Sequence, residues 1–290
     1  MDGSFCRSGI SEPYNTSMDL RPFGDPSRRV PVIGQGTWIM EQDDRASAIA
    51  ALRRGIDLGM THLDTAEMYG SGKVEEIVGE AIRGLRDRVF IVSKVLPSNA
   101  SFKGTIQACE RSLQRLKTGV LDCYLLHWPG SHPLEETIRA FEALLKEGKI
   151  RSYGVSNFDV RGMEEAVRLS PRIACNQVLY NLEERTIEHA LLPWCEKRRI
   201  PIVAYSPVGA QSFRSSKALD EIAAARRATP RQIALAFLIR NPNVFAIPKS
   251  SVVAHVEENA AAADIALTEE EVRKIDAAFP RGPWRGLAMA

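Results

Sequence analysis

The sequence has no apolar run near the ~18–20 residues that a membrane-spanning helix needs. It also has little cysteine: Cys6, Cys109, Cys123, Cys175 and Cys195 are an odd, scattered set with no Cys-x-x-Cys pair. That speaks against a disulfide framework or a zinc ribbon and for reduced core or surface thiols in a cytoplasmic protein. Charge of one sign is missing. With 38 Lys and Arg against 36 Asp and Glu, the net charge is +2, which provides no broad field to hold nucleic acid or an anionic membrane. No metal-ligand spacing joins His62, His132 and His189, so no metal is expected. The stretch from Met1 to Asp25 is rich in Ser, Pro and Gly and lacks the apolar core of a secretory signal. A dinucleotide fingerprint of the Gly-x-Gly-x-x-Gly type is missing too, since Gly34-Gln-Gly36-Thr-Trp-Ile39 lacks the third glycine.

What is present is a long, well-mixed chain. Its 290 residues are 44% hydrophobic, enough for one large core and a good match in length to a single α/β barrel. Residues 1–27 read as a flexible tail and 28–290 as one domain. From Arg28 onward, eight short apolar runs alternate with amphipathic segments. The runs are Ile33–Thr37, Thr61–Asp64, Val89–Lys94, Asp122–His127, Arg151–Ser156, Ile173–Gln177, Ile202–Ser206 and Val244–Pro248. Most are nearly continuous in apolar residues, as strands buried on both faces are. Between them, Ser47–Leu58 and Lys73–Arg83 repeat their apolar residues with helical period. Thr229-Pro-Arg-Gln232 and Thr268-Glu-Glu-Glu271 are capping boxes. Strand–helix units repeated eight times predict an α/β fold, a (β/α)8 TIM barrel, with a doubly wound open sheet as the alternative.

Barrel chemistry sits where strands end. The polar residues there are Trp38, Asp64, Lys94, His127, Ser156-Asn157, Gln177, Ser206 and Lys249. A structural Asp64–Lys94 pair with a hydrogen-bonded His127 would explain any of these singly. Together, at equivalent strand ends, they suggest a site, because an unpaired buried Lys or Asp is costly. Tyr69 lies five residues past Asp64. A phenol beside a buried Lys⁺ has its phenolate stabilised, and bringing it from ~10 toward 7 takes ~4 kcal/mol at ~1.36 kcal/mol per unit. Such a Tyr is a proton donor, His127 offers a second hydrogen bond to the same oxygen, and the matching chemistry is reduction of a carbonyl with a nicotinamide. A Schiff-base aldolase built on Lys94 and a non-catalytic nucleotide-binding subunit are the competing readings.

The residues also resemble a known family, the aldo-keto reductases, from about Arg28 to Phe279. The matching stretches, in order, include Gly34-Gln-Gly-Thr-Trp38, Gly59-Met-Thr-His-Leu-Asp-Thr-Ala-Glu-Met-Tyr69, Val92-Ser-Lys94, Leu125-Leu-His-Trp-Pro129, Gly154-Val-Ser-Asn157, Asn176-Gln177, Ala204-Tyr-Ser-Pro207 and Ile247-Pro-Lys-Ser250. The Leu-Leu-Pro-Trp-Cys stretch at 191–195 resembles the bacterial methylglyoxal-reductase-like branch. The resemblance implies a catalytic tetrad of Asp64, Tyr69, Lys94 and His127. It implies that Ser156, Asn157 and Gln177 hold a nicotinamide carboxamide and that Tyr205 stacks on the ring. Gly36, Thr37, Trp38, Ser206, Pro207 and Val208 are expected to complete the cofactor-binding run. By their strand-end positions Trp38 and Trp128 read as walls of the substrate pocket, with core aromatics as the alternative. It places an adenosine 2′-phosphate on Lys249, Ser250, Glu258 and Asn259, with His255 where the family pattern usually has Arg. NADPH is therefore expected, with some use of NADH, because His lacks the permanent forked charge of Arg. The resemblance also implies a monomer, and the short loops Trp128–Pro133 and Pro207–Ser215 imply an open pocket for small aldehydes and dicarbonyls.

Overall fold

The computed structural model describes residues 18–209 and 213–289. A two-stranded antiparallel hairpin comes first, β1 (Leu20–Phe23) and β2 (Asp25–Pro31). Eight parallel strands follow: β3 (Gln35–Gly36), β4 (His62–Asp64), β5 (Phe90–Val95), β6 (Cys123–Leu126), β7 (Tyr153–Ser156), β8 (Ile173–Leu179), β9 (Ile202–Tyr205) and β10 (Val244–Ala246). Each pairs with the next in chain order. Parallel bridges Ile33↔Ala246 and Gly36↔Lys249 join the last strand to the first, and Gly34 N donates to Ala246 O at 2.8 Å. The sheet closes, and the chain is a (β/α)8 barrel. The open-sheet alternative is excluded by that seam.

Helices fill the spaces between strands: α1 (Arg45–Asp57) after β3, α2 (Lys73–Ala81) after β4, α3 (Phe102–Leu116) after β5, α4 (Leu134–Lys146) after β6, α5 (Val160–Leu169) after β7 and α6 (Leu191–Arg198) after β8. Two helices follow β9, α7 (Lys217–Arg226) and α8 (Pro230–Ile239), and two follow β10, α9 (Val253–Ala261) and α10 (Glu269–Ala278). The strands are buried on both faces, inward against other strands and outward against this helical layer; all six residues of β5 are buried. The local signals work as expected at α8 and α10, where both capping boxes form. Helix α1 starts earlier than its apolar period indicates, because Asp44 caps it by accepting from Ser47 N at 2.8 Å.

The amino-terminal boundary is corrected. Residues 1–17 lie outside the described residues, but 20–27 belong to the hairpin and not to a loose tail. Phe23 and Val30 are buried, and Phe23 packs edge-on against Phe90, Phe245 and His62 on the barrel interior. Arg28 donates to the Asp122 carbonyl and to Ser152 Oγ at 2.8 Å. The hairpin thus closes the end of the barrel that faces away from the strand C-termini. Its Arg, Ser and Pro content conceals a strand because so few of its side chains face the core.

Candidate active site

Asp64 ends β4 and Lys94 lies one strand over on β5, both pointing into the barrel and almost wholly buried. The ammonium Nζ donates to Asp64 Oδ1 at 2.6 Å, to the Thr65 carbonyl at 2.8 Å and to Tyr69 OH at 3.4 Å. From across the barrel, Gln177 on β8 donates Nε2 to Asp64 Oδ2 at 2.7 Å. Three ammonium protons meet three acceptors and both carboxylate oxygens are used, which is what makes a buried ion pair tolerable. Burial pulls the Lys94 pKa down, but the attraction of Asp64 and Tyr69 and the hydrogen bonds to them outweigh it, so the ammonium titrates above its ordinary value.

Tyr69 stands on the loop leaving β4. Immediately after it come three residues in the left-handed region, Gly70, Ser71 and Gly72, with φ of 54°, 54° and 93°. That run turns the chain sharply into α2 and presents the ring to the pocket. A Cβ on Gly72 would meet Arg115 Cδ at 2.6 Å, and Arg115 is held by buried Glu75 at 2.6 Å. Glu67 pins the same loop by accepting from Leu96 N at 2.8 Å and Asn99 Nδ2 at 2.9 Å.

The phenol corrects one expectation. Burial pushes the Tyr69 pKa above 10 rather than toward 7; Lys94 pulls it back, and Asp64 opposes Lys94. The lysine charge is too nearly neutralised by a carboxylate at 2.6 Å to overcome desolvation. Tyr69 therefore keeps its proton at neutral pH. Because its oxygen accepts from Lys94, its O–H is free to donate elsewhere.

His127 follows β6, with its ring 5.8 Å from that of Tyr69 and 4.8 Å from that of Trp128. Burial, helped by the Lys94 charge, lowers its pKa to about 2, so the imidazole is neutral. A pocket of about 380 Å³ opens above these groups. The structure brings Gly36, Thr37, Trp38, Trp128, Ser156, Asn157, Gln177, Tyr205, Ser206, Pro207, Val208 and Lys249 to its wall with Asp64, Tyr69 and His127. Polar groups on that wall orient one another. Tyr205 OH donates to Asn157 Oδ1 at 2.9 Å, Asn157 Nδ2 to the His127 carbonyl at 3.0 Å and Ser156 Oγ to the Gln177 carbonyl at 2.9 Å. Asn157 and Ser206 hold φ of 63° and 47°, backbone strain that clusters at a cleft. Lys94 lies beneath the wall.

The residues expected around a 2′-phosphate gather less tightly. Lys249 pairs with Asp43, Ser250 Oγ accepts from Val252 N at 3.0 Å ahead of α9, and His255 is exposed on α9. Asn259 is buried, and the Glu258 carbonyl accepts from Gln232 Nε2 at 2.9 Å. The sequence reading misses Ile39, Met68, Gly209, Ile247 and Met289, which also line the pocket. Met68 sits inside the Asp64–Tyr69 motif and was open to the same strand-end argument. Met289 itself carried no signal, but Arg281-Gly-Pro-Trp-Arg285 just before it reads in the sequence as a tail packing near the pocket mouth or a disordered end. The structure bears out the first: the tail reaches the pocket from the far end of the chain, steadied where His189 meets Trp284 edge-on and the Gly282 carbonyl at 3.0 Å.

Comparison with known proteins agrees with this architecture. The family model described as the aldo/keto reductase family matches residues 32–279. A methylglyoxal reductase of Escherichia coli is 48% identical over 267 residues, 89% of this chain and 93% of that protein. A glyoxal reductase of Bacillus subtilis is 34% identical over 86% of this chain and 88% of its own length. An aldo/keto reductase of Klebsiella pneumoniae, solved in complex with NADP and acetate, superposes with a TM-score of 0.89 at 46% identity, covering 93% of this chain and 99% of that one. By sequence, fold and the order of its strand-end residues, the chain belongs to the aldo/keto reductase family of oxidoreductases.

Proposed function

We propose that the protein reduces small aldehydes and dicarbonyls of the methylglyoxal type to alcohols with NADPH, and that Tyr69 gives the proton. The observation that carries this reading is the Tyr69 hydroxyl, which accepts from Lys94 at 3.4 Å and sits in one pocket with His127. The relatives named for methylglyoxal and glyoxal reduction, and a neighbour solved with NADP, support it.

The wall fits the nucleotide by its donor set. Amide and hydroxyl groups of Ser156, Asn157 and Gln177 match a carboxamide, and the half-buried Tyr205 ring beside them offers a stacking face. Lys249, Ser250 and Asn259, with His255, would hold the 2′-phosphate. When bound, NADPH supplies the hydride. His127 donates to the carbonyl oxygen and orients it. Tyr69 donates its proton to that oxygen as negative charge develops there, and Lys94 steadies the phenolate left behind. Asp64 and Gln177 keep Lys94 in place. Trp38, Trp128, Met68 and Met289 exclude water from one side and limit substrate size.

An aldolase is disfavoured because Lys94 has all three donors engaged and its pKa is raised, the opposite of a Schiff-base nucleophile. The test is a panel of methylglyoxal, glyoxal, larger aldehydes, ketones and sugars with NADPH and NADH. Fastest consumption of NADPH by the small dicarbonyls is expected. Borohydride trapping of substrate on Lys94 with no nucleotide oxidation would reject the reading.

A further inference from the structure

An acidic residue lies against the cation expected to meet the phosphate. Asp43 follows the short turn Met40–Gln42 on the loop between β3 and α1. Its Oδ2 accepts from Lys249 Nζ and from Ser251 Oγ at 2.6 Å. Burial pushes this carboxyl up, but the Lys249 and Ser251 hydrogen bonds and the Lys249 charge outweigh it, so Asp43 is ionised at neutral pH. The pair is about one third exposed, 27% for Lys249 and 31% for Asp43. The backbone on both sides is anchored at the barrel seam, where Gly36 bridges Lys249 and donates to the Pro248 carbonyl at 3.1 Å. A phosphate reaching Lys249 therefore meets a cation already neutralised by a neighbour that cannot drift far away.

We propose that Asp43 is a specificity-determining residue for the nucleotide: by occupying Lys249 and Ser251 and leaving a negative charge beside them, it weakens binding of 2′-phosphorylated nucleotide and narrows the preference over the unphosphorylated form. The proposal rests on the reading of Lys249 as a phosphate ligand. A phosphate dianion a few ångströms from a carboxylate in wet surroundings is disfavoured by about five- to thirtyfold in affinity. The unphosphorylated nucleotide has no group there and is spared.

Dissociation constants of NADP⁺ and NAD⁺, read from quenching of tryptophan fluorescence, test this in the full chain and in Asp43→Asn and Lys249→Met. Asparagine keeps an acceptor for Ser251, and NAD⁺ binding reports that each variant is folded. The expected result is an NADP⁺ constant about five- to thirtyfold lower in Asp43→Asn, with NAD⁺ nearly unchanged, and a collapsed preference in Lys249→Met. If Lys249→Met collapses the preference while Asp43→Asn leaves it unchanged or reduces it, the role of Asp43 is overturned and Lys249 stands. If Lys249→Met changes nothing, the phosphate site is elsewhere and both fall.

Discussion

At the scale of single residues, the site depends on which groups hold protons. Tyr69 titrates above 10 and His127 near 2, so neither changes charge across neutral pH. The kcat for aldehyde reduction should be flat from about pH 5 to about pH 9 and fall only as the phenol ionises. A limb in kcat near 6.5 would show that His127 titrates in the working range. Lys94→Met should remove activity and stability together, because it strands a buried carboxylate; breaking such a pair costs about 3–5 kcal/mol. Denaturant titration beside kcat checks this, and a variant as stable as the parent would contradict the Asp64–Lys94 linkage. His255→Arg should widen the NADPH-over-NADH ratio in kcat/KM by up to about tenfold, the low end for a charged hydrogen bond, since the position is exposed. Equal ratios would take His255 out of the site.

Secondary-structure elements explain why most residues of the candidate site, those the structure gathers around one pocket, could be picked out in advance. Asp64, Lys94, His127 and Gln177 are polar residues in or beside apolar strand runs, and strand ends are where such residues have no cheap structural role. The helices were legible for a similar reason: Thr229 and Thr268 carry capping signals that depend on residues three apart. The hairpin was not legible, and of the tail only its course past Arg281–Arg285 toward the pocket mouth was, because Phe23 and Met289 act through contacts with distant parts of the chain and not through local pattern. Phe23→Ala should lower stability by about 3–5 kcal/mol while leaving kcat of the folded enzyme unchanged, since the hairpin closes the barrel end away from the pocket. An equal loss in kcat would mean that the two ends communicate. The direction of the Tyr69 shift was also out of reach. Proximity of Lys94 was legible, but the balance of burial against an already paired charge depends on ångström-scale geometry.

Across the whole molecule, one end of the barrel is built for chemistry and the other for stability. At the stable end, His62 is fully buried among Phe23 and Phe90, with neither ring nitrogen hydrogen-bonded among the described residues. Burial lowers its pKa from 6.5 to about 4. The unfolded chain thus takes up this proton at higher pH than the folded one. The stability contributed is complete above pH 6.5 and is lost as pH falls toward 4, by about 3 kcal/mol at ~1.36 kcal/mol per unit. His62→Leu should flatten that part of the curve, measured as unfolding free energy against pH; an unchanged slope would assign the acid sensitivity elsewhere.

The central claim is that Tyr69 is the proton donor, and the most direct measurement of it is kcat for methylglyoxal with saturating NADPH in Tyr69→Phe, alongside the NADPH dissociation constant. Phenylalanine keeps the ring beside His127 and removes the transferable proton. The expected result is a loss in kcat of about 10²–10⁴-fold with nucleotide affinity nearly intact. A loss of less than about tenfold would contradict the assignment of Tyr69 as the acid.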